Sequence, residues 1–456
     1  MKLNKMEEMN MSKFVDRPRY TCALGGALAT LRAIPRTIPI IHASAGCGHN
    51  LQNAINPGAG YLGGGYCGGL SLPSSNVAER DIVFGGEARL REQIGSTLEI
   101  MDGDLFLVLT GCMVEMIGDD LDAVVSEFED SEYPVIAVHT PSFRGNSYTG
   151  YELVFDALIR KYIKREPEKT PGMVNVLGIV PAQDVFWKGN LKEIKRLLKK
   201  LGLQVNTFFG EGETLEDIRN SAKASLNIVV SDVYGIEAAK KFETVHGIPY
   251  INTVFPIGAD ATAEFLHEVS KALNIDVSLT DAVIEEERRV YYDYLERLDD
   301  SYNDIGLQRY VMVVGDSNYA PAVTRFLADE LGWLPELAVI TDCLDEAQKQ
   351  SLARRFENYE SGLSPSVRFD TDTSSVKKYI SEIWPWNRNE RYYNALNPTV
   401  IVGSVYERDL AAEFGFPLLT VSYPVTNRVV LNRAYAGING ALSMVEDLLS
   451  ILVAGR

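Results

Sequence analysis

The chain has 456 residues, too many for one core; at roughly 100–200 residues per domain, two to four domains are expected. Hydrophobic residues make up 46% and charged residues 23%, the balance of a soluble globular protein. The formal net charge of −18 argues against nucleic acid and against an anionic membrane surface, since both call for Lys/Arg patches.

The first stretch, "MKLNKMEEMNMSKFVDRPRY", has no apolar core of a secretory signal, and no apolar run approaches the ~20 residues needed to span a bilayer. A reducing cytoplasm is the expected compartment. There the five cysteines, Cys22, Cys47, Cys67, Cys112 and Cys343, are not expected to form a disulfide framework.

Apolar runs of four to eight residues then alternate with amphipathic stretches. In the first third these runs are "TIPIIHA", "LFLVLTG" and "YPVIAVHT". The middle third has "MVNVLGIV", "LQVNTFF", "LNIVVSD" and "PYINTVF"; the last has "RYVMVVGD", "LAVITD", "TVIVGS" and "PLLTVSYP". Continuous apolar strands separated by helices predict parallel sheets covered on both faces. The charged, proline-bearing "KREPEKTPG" (Lys164–Gly172) reads as a linker, and a long helical region follows Thr280. Three doubly wound α/β units result, 1–165, 166–300 and 301–456, the last closed by the helix "GINGALSMVEDLLSILVAG". The glycine-rich "NPGAGYLGGGYCGG" (56–69) reads as a loop punctuated by Cys67.

In open α/β sheets, ligands sit outside the carboxyl ends of the strands. Cys47, Cys112 and Ser142 each follow a predicted strand at that edge, and Cys22 begins a helix. Flanking glycines leave room for a bulky group and free backbone N–H groups. Thiolates are the usual ligands of iron–sulfur clusters, and the absence of a C-x-x-C excludes rubredoxin-like sites and zinc ribbons. Two other readings stay open on the residues alone: Cys47 as a reactive thiol served by His42 or His49, and plain packing. Cys343, in "VITDC", reads as a small buried hydrophobe. "GDD" (Gly118, Asp119, Asp120) reads as the cap of the helix that follows.

The segments "TCALGGALATLRAIPRTIPIIHASAGCG", "DIVFGG", "TGCMVEMIGDDLDAVV" and "HTPSFRGNSYTGY" resemble component 1 of nitrogenase and its relatives, most closely the beta (K) chain type. That resemblance implies three Rossmann-like domains and a P-cluster of the 8Fe-7S type shared between an alpha-type and a beta-type chain. Each chain supplies three cysteines, here Cys22, Cys47 and Cys112. Ser142 matches a serine that binds an iron of the oxidised cluster in some members. Phe84, in "IVFGG", matches the surface where an ATP-dependent 4Fe-4S iron protein docks. The implied assembly is an α2β2 heterotetramer that relays electrons to a metallocluster held by the alpha-type partner.

The alpha chain's cofactor ligands are a cysteine in the second domain and a histidine in the third. Ser231 or a neighbour stands at the first of these positions, no cysteine lies between Cys112 and Cys343, and no histidine follows His267. The resemblance therefore implies no catalytic residue in this chain. The long glycine-rich interval after Cys47, the extra Cys67 and the modest length suit an alternative nitrogenase or a nitrogenase-like reductase, such as the methylthio-alkane reductases. A cofactor-assembly scaffold of the N type is expected to lack part of the cysteine set. A tetrapyrrole reductase is disfavoured by the three cysteines together with "HTPSF".

Overall fold

The computed structural model describes residues 15, 17–61, 72–299, 302, 309–383 and 400–454. The first third forms α1 (Ala23–Arg32), β1 (Thr37–His42), α2 (Ala45–Gly58), α3 (Glu79–Phe84), α4 (Glu87–Ile100), β2 (Leu105–Thr110), α5 (Cys112–Ile117), α6 (Leu121–Ser126), β3 (Val135–Val138) and α7 (Ser147–Ala157). Its three strands pair in parallel in the order β1-β2-β3. The register sets His42 opposite Thr110 and Leu109 opposite Val138, so all three strands end along one edge. β2 is buried along its whole length, as an unbroken apolar run between two helical layers requires. Each of its large side chains contributes about 1.5–3 kcal/mol by burial.

The middle third contains β4 (Thr170–Leu177), α8 (Trp187–Lys200), β5 (Gln204–Asn206), β6 (Ala224–Val229), α9 (Ile236–His246), β7 (Tyr250–Asn252), α10 (Gly258–Leu273) and α11 (Val277–Leu295). Its sheet is parallel, in the order β5-β4-β6-β7. The segment Lys164–Gly172, expected as a linker, already contributes Thr170 and its successors to β4. The last third has β8 (Tyr310–Gly315), α12 (Tyr319–Arg325), β9 (Leu334–Ile340), β10 (Ser366–Phe369), β11 (Val400–Gly403), β12 (Leu418–Thr420) and α13 (Gly437–Ala454). Its parallel sheet runs β10-β9-β8-β11-β12. All eleven expected strands are present. The twelfth, β10, is a four-residue edge strand, half-buried throughout, and "SVRF" carries no continuous apolar signal.

One large core runs through all three thirds. α13 lies against α8, α10 and α11 as well as β12, so it joins the second and third sheets. It is the one helix among the described residues long and apolar enough to cross a membrane. Here its Ile438, Ala441, Met444, Val445 and Leu448 are buried within the protein. Polar contacts fix the same junctions. Asn190 Nδ2 donates to Tyr319 Oη at 2.7 Å and to Asp184 Oδ2 at 2.9 Å, while its Oδ1 accepts from the backbone N–H groups of Tyr435 and Ala436. Arg19 pairs with Glu407 in the interior, where either charge alone would be costly.

Candidate functional site

The site begins with a close helix crossing. α1 and α7 pack so tightly that a Cβ on Gly26 would meet the Ser147 carbonyl oxygen at 1.9 Å, and one on Gly150 would meet the Ala23 carbonyl oxygen at 2.1 Å. Glycine is the residue that allows this approach. The crossing is sealed by Ala23 N–H donating to Gly145 O at 3.1 Å and Ser147 N–H donating to Thr21 O at 2.8 Å. Cys22, the N-cap of α1, is thereby held beside the turn that carries Ser142.

Cys47 is the third residue of α2 and Cys112 the first of α5. A thiol flanked by glycines just beyond a strand end would be expected in a loop, but the structure has Cys47 in a helix. The small residues "ASAG" form a helix start rather than an open turn, because α2 is anchored further along by Leu51 and Ile55 packing on the core. Helix 45–58 also takes up Asn56–Gly58, the beginning of the expected glycine-rich loop. Cys67 and the rest of that stretch, apart from residues 59–61, lie outside the described residues.

The three thiols share one neighbourhood. Burial pushes the Cys22 thiol up, opposed by the N–H groups of Gly25 and Leu24, and charge on Cys112 or Cys47 raises it further. Cys112 Sγ lies 2.9 Å from Ser142 Oγ and accepts the Ser142 N–H at 3.2 Å. Cys47 Sγ lies 3.6 Å from Ser44 Oγ. All three cysteines are half-buried and in free thiol form. Each stands in the first turn of a helix, or at its cap, where unpaired backbone N–H groups favour negative charge.

The reactive-thiol reading loses its base. His42 is fully buried, with Nδ1 2.8 Å from Ser75 Oγ and Nε2 3.0 Å from Asp119 Oδ2. His49 points along its own helix, where Asn53 Nδ2 donates to its Nε2 at 2.9 Å. Asp120 caps α6 through the Ala123 N–H, as expected of "GDD". Asp119 has a separate task that the sequence did not disclose: its Oδ1 accepts the Gly86 N–H at 2.9 Å, tying the "FGG" turn to the end of β1.

Phe84 closes α3 and is 81% exposed, beside Val83 at 72%. It does not pack into its own domain. Met116 on α5 and Phe143 beside Ser142 are also exposed, so apolar side chains accompany the thiols to the surface. Ser231, by contrast, is buried and already satisfied, its Oγ accepting the N–H groups of Val233 and Tyr234 at 3.1 and 2.9 Å. Cys343 is exposed, contrary to expectation: Thr341 and Asp342 after β9 are still buried, and the chain reaches the surface only at Cys343.

Next to Cys22 and Ser142 opens a cleft of about 730 Å³ that also reaches Cys343. Glu152 lines it, with its carboxylate accepting the Gly235 and Ala238 N–H groups at 2.7 Å each. Burial nevertheless raises Glu152 to about 7. Tyr148 and Tyr234 stack at 3.9 Å on the same wall, and Tyr234 Oη donates to Asp342, which burial and Asp316 raise to about 6.

Residues 22–452 match the family described as nitrogenase component 1 type oxidoreductase, and the chain belongs to that family. It is a subunit of the beta type within it. The molybdenum-iron protein beta chain of Azotobacter vinelandii is 25% identical, over 98% of this chain and 86% of its own length. The vanadium-iron protein beta chain of Trichormus variabilis is 27% identical, over 91% and 89%. Among solved structures, nitrogenase Cp1 at pH 6.5 shares the fold, with a TM-score of 0.76 and 21% identity over 98% of this chain and 97% of that one. The protein is accordingly one subunit of an oxidoreductase.

Proposed function

We propose that this chain supplies Cys22, Cys47 and Cys112 to an iron–sulfur P-cluster of the 8Fe-7S type, shared with an alpha-type partner. In this reading it relays electrons from an ATP-dependent iron protein toward a metallocluster that the partner alone holds. The observation that carries the reading is the gathering of three free thiols from three helix starts on one half-exposed face, with Ser142 against Cys112. The donor set fits such a group. Among the described residues no three His, Cys, Asp or Glu side chains are gathered tightly enough for a single metal ion.

When bound, the cluster supplies one-electron storage at this face. The chain's own residues do the rest. The helix starts orient the thiols and offer N–H groups to negative charge. Ser142 holds a hydroxyl beside Cys112 as an additional oxygen ligand for the oxidised state. Val83 and Phe84 offer an apolar contact of the kind a transient interface uses, which supports docking of the iron protein here. The exposed Met116 and Phe143 support burial of this face under the partner.

The test is anaerobic co-purification with the alpha-type partner, read by size and iron content. An α2β2 complex rich in iron is expected. A lone monomer carrying a full complement of iron would contradict the proposal.

A further inference from the structure

A second cleft, of about 670 Å³, lies away from the thiols, between the α1–β1 connection and the carboxyl edge of the second sheet. Pro181 and Ala182, which follow β4, and Phe209 and Gly210, which follow β5, form one side. That edge is where open α/β sheets bind ligands, and the volume is that of a small-molecule site. Ala182 on its wall adopts φ 64°, a left-handed conformation that a non-glycine residue keeps only where its surroundings impose it.

The lining is cationic in a chain of net charge −18. Two of its cations are already neutralised: Lys192 pairs with Glu211 at 2.9 Å, and Arg36 with Asp102 and Asp104. Arg32 and Lys188 are different. Among the described residues no carboxylate pairs with either. Arg32 donates only to Gln52 Oε1, at 3.0 Å, and burial alone lowers it to about 10. Lys188 Nζ sits 5.3 Å from the centre of the Trp187 ring. Residues 62–71, "LGGGYCGGLS", contain no Asp or Glu, so that stretch brings no countercharge. A partly desolvated guanidinium without an anion is a cost that a bound anion removes.

We propose that this cleft binds a small organic anion with a carboxylate, sulfonate or phosphate head on a flat or apolar body. The head meets Arg32 and Lys188. The body lies along Trp187, Phe209, Ile34 and Ile55. Neither the thiols nor Ser142 line the cleft, so the site is independent of the cluster reading.

The experiment titrates the purified complex with anilinonaphthalene sulfonate, and in parallel with its uncharged analogue phenylnaphthylamine, following dye emission. Saturable binding of the sulfonate is expected, roughly tenfold or more tighter than the uncharged dye. Arg32→Gln should weaken sulfonate binding about tenfold, while Arg91→Gln, outside the cleft, leaves it unchanged. If Arg32→Gln does not fold, the exposed Lys188→Met serves, with weakening in the same direction expected. No saturable binding, equal affinity for the two dyes, or unchanged affinity in whichever cleft variant folds would overturn the proposal.

Discussion

Cys112 Sγ and Ser142 Oγ lie 2.9 Å apart, and the same sulfur also accepts the Ser142 backbone N–H. The serine is therefore fixed against one thiol by two contacts, although thirty residues separate them in sequence. In the proposed role it supplies an oxygen to the oxidised cluster and leaves the reduced cluster alone. Ser142→Ala should shift the potential of the oxidised couple and leave iron content unchanged, a difference that redox titration of the complex reads directly.

Gly26→Ala tests whether the helix crossing positions Cys22. The new methyl would sit 1.9 Å from the Ser147 carbonyl oxygen, so α1 and α7 must part. Overpacking of this kind costs about 1–3 kcal/mol or more. Because Cys22 caps α1, the variant should lose iron as well as melt earlier. A control such as Gly95→Ala, where nothing lies within 4 Å, should do neither. Loss of stability with full iron content would show that the crossing holds the fold and not the thiol.

His139 makes part of the stability depend on pH. Burial pulls its basicity down, but hydrogen bonds to Asp122 and Glu115 more than compensate and raise it above the ordinary value of about 6.5. The folded state thus holds this proton more tightly than the unfolded chain does. The stabilisation is fully present below about pH 6.5 and is lost as pH rises through the higher folded value. Glu152, raised to about 7, acts in the same direction, its contribution fading from about pH 4.5 upward through 7. His139→Gln should flatten the curve of melting temperature against pH above about 6.5, and Glu152→Gln should flatten it between about 4.5 and 7.

Phe84→Ala should lower turnover driven by the iron protein and leave stability and cluster spectra intact. The ring is 81% exposed, so its removal opens no cavity. An aromatic anchor at the centre of a small interface is worth roughly 1–3 kcal/mol, which would appear as a higher apparent KM for the iron protein. Kinetics against iron-protein concentration check this. Unchanged KM and kcat would remove Phe84 from the interface.

Much of the architecture was legible because buried parallel strands announce themselves. "LFLVLT" and "YVMVVG" are unbroken apolar runs, and both are strands. "SVRF" was missed because an edge strand needs no such run. The thiols were legible by position, as residues just beyond strand ends. Their local setting was less so: "ASAGCG" has loop-like composition, yet the apolar residues one and two turns on make it a helix. Cys343 showed the opposite failure, since a thiol after an apolar run looks buried until the chain turns outward. The second cleft could not be read from sequence, because Arg32, Lys188 and Phe209 belong to separate elements that only the folded chain brings together.

The most direct test of the cluster assignment is the spectrum of the complex carrying Cys112→Ala, recorded by Mössbauer and paramagnetic resonance beside the unaltered complex. Cys112 is the thiol whose removal should disturb the fold least, since Cys22 and Cys47 pack against the main core and Cys112 opens a short six-residue helix. A shared cluster also links the two chains, so loss of a ligand acts on assembly as well as on redox chemistry. The account predicts loss of the cluster signal, a fall in iron per chain pair and weaker association with the partner. An undiminished cluster spectrum with the complex intact would contradict it.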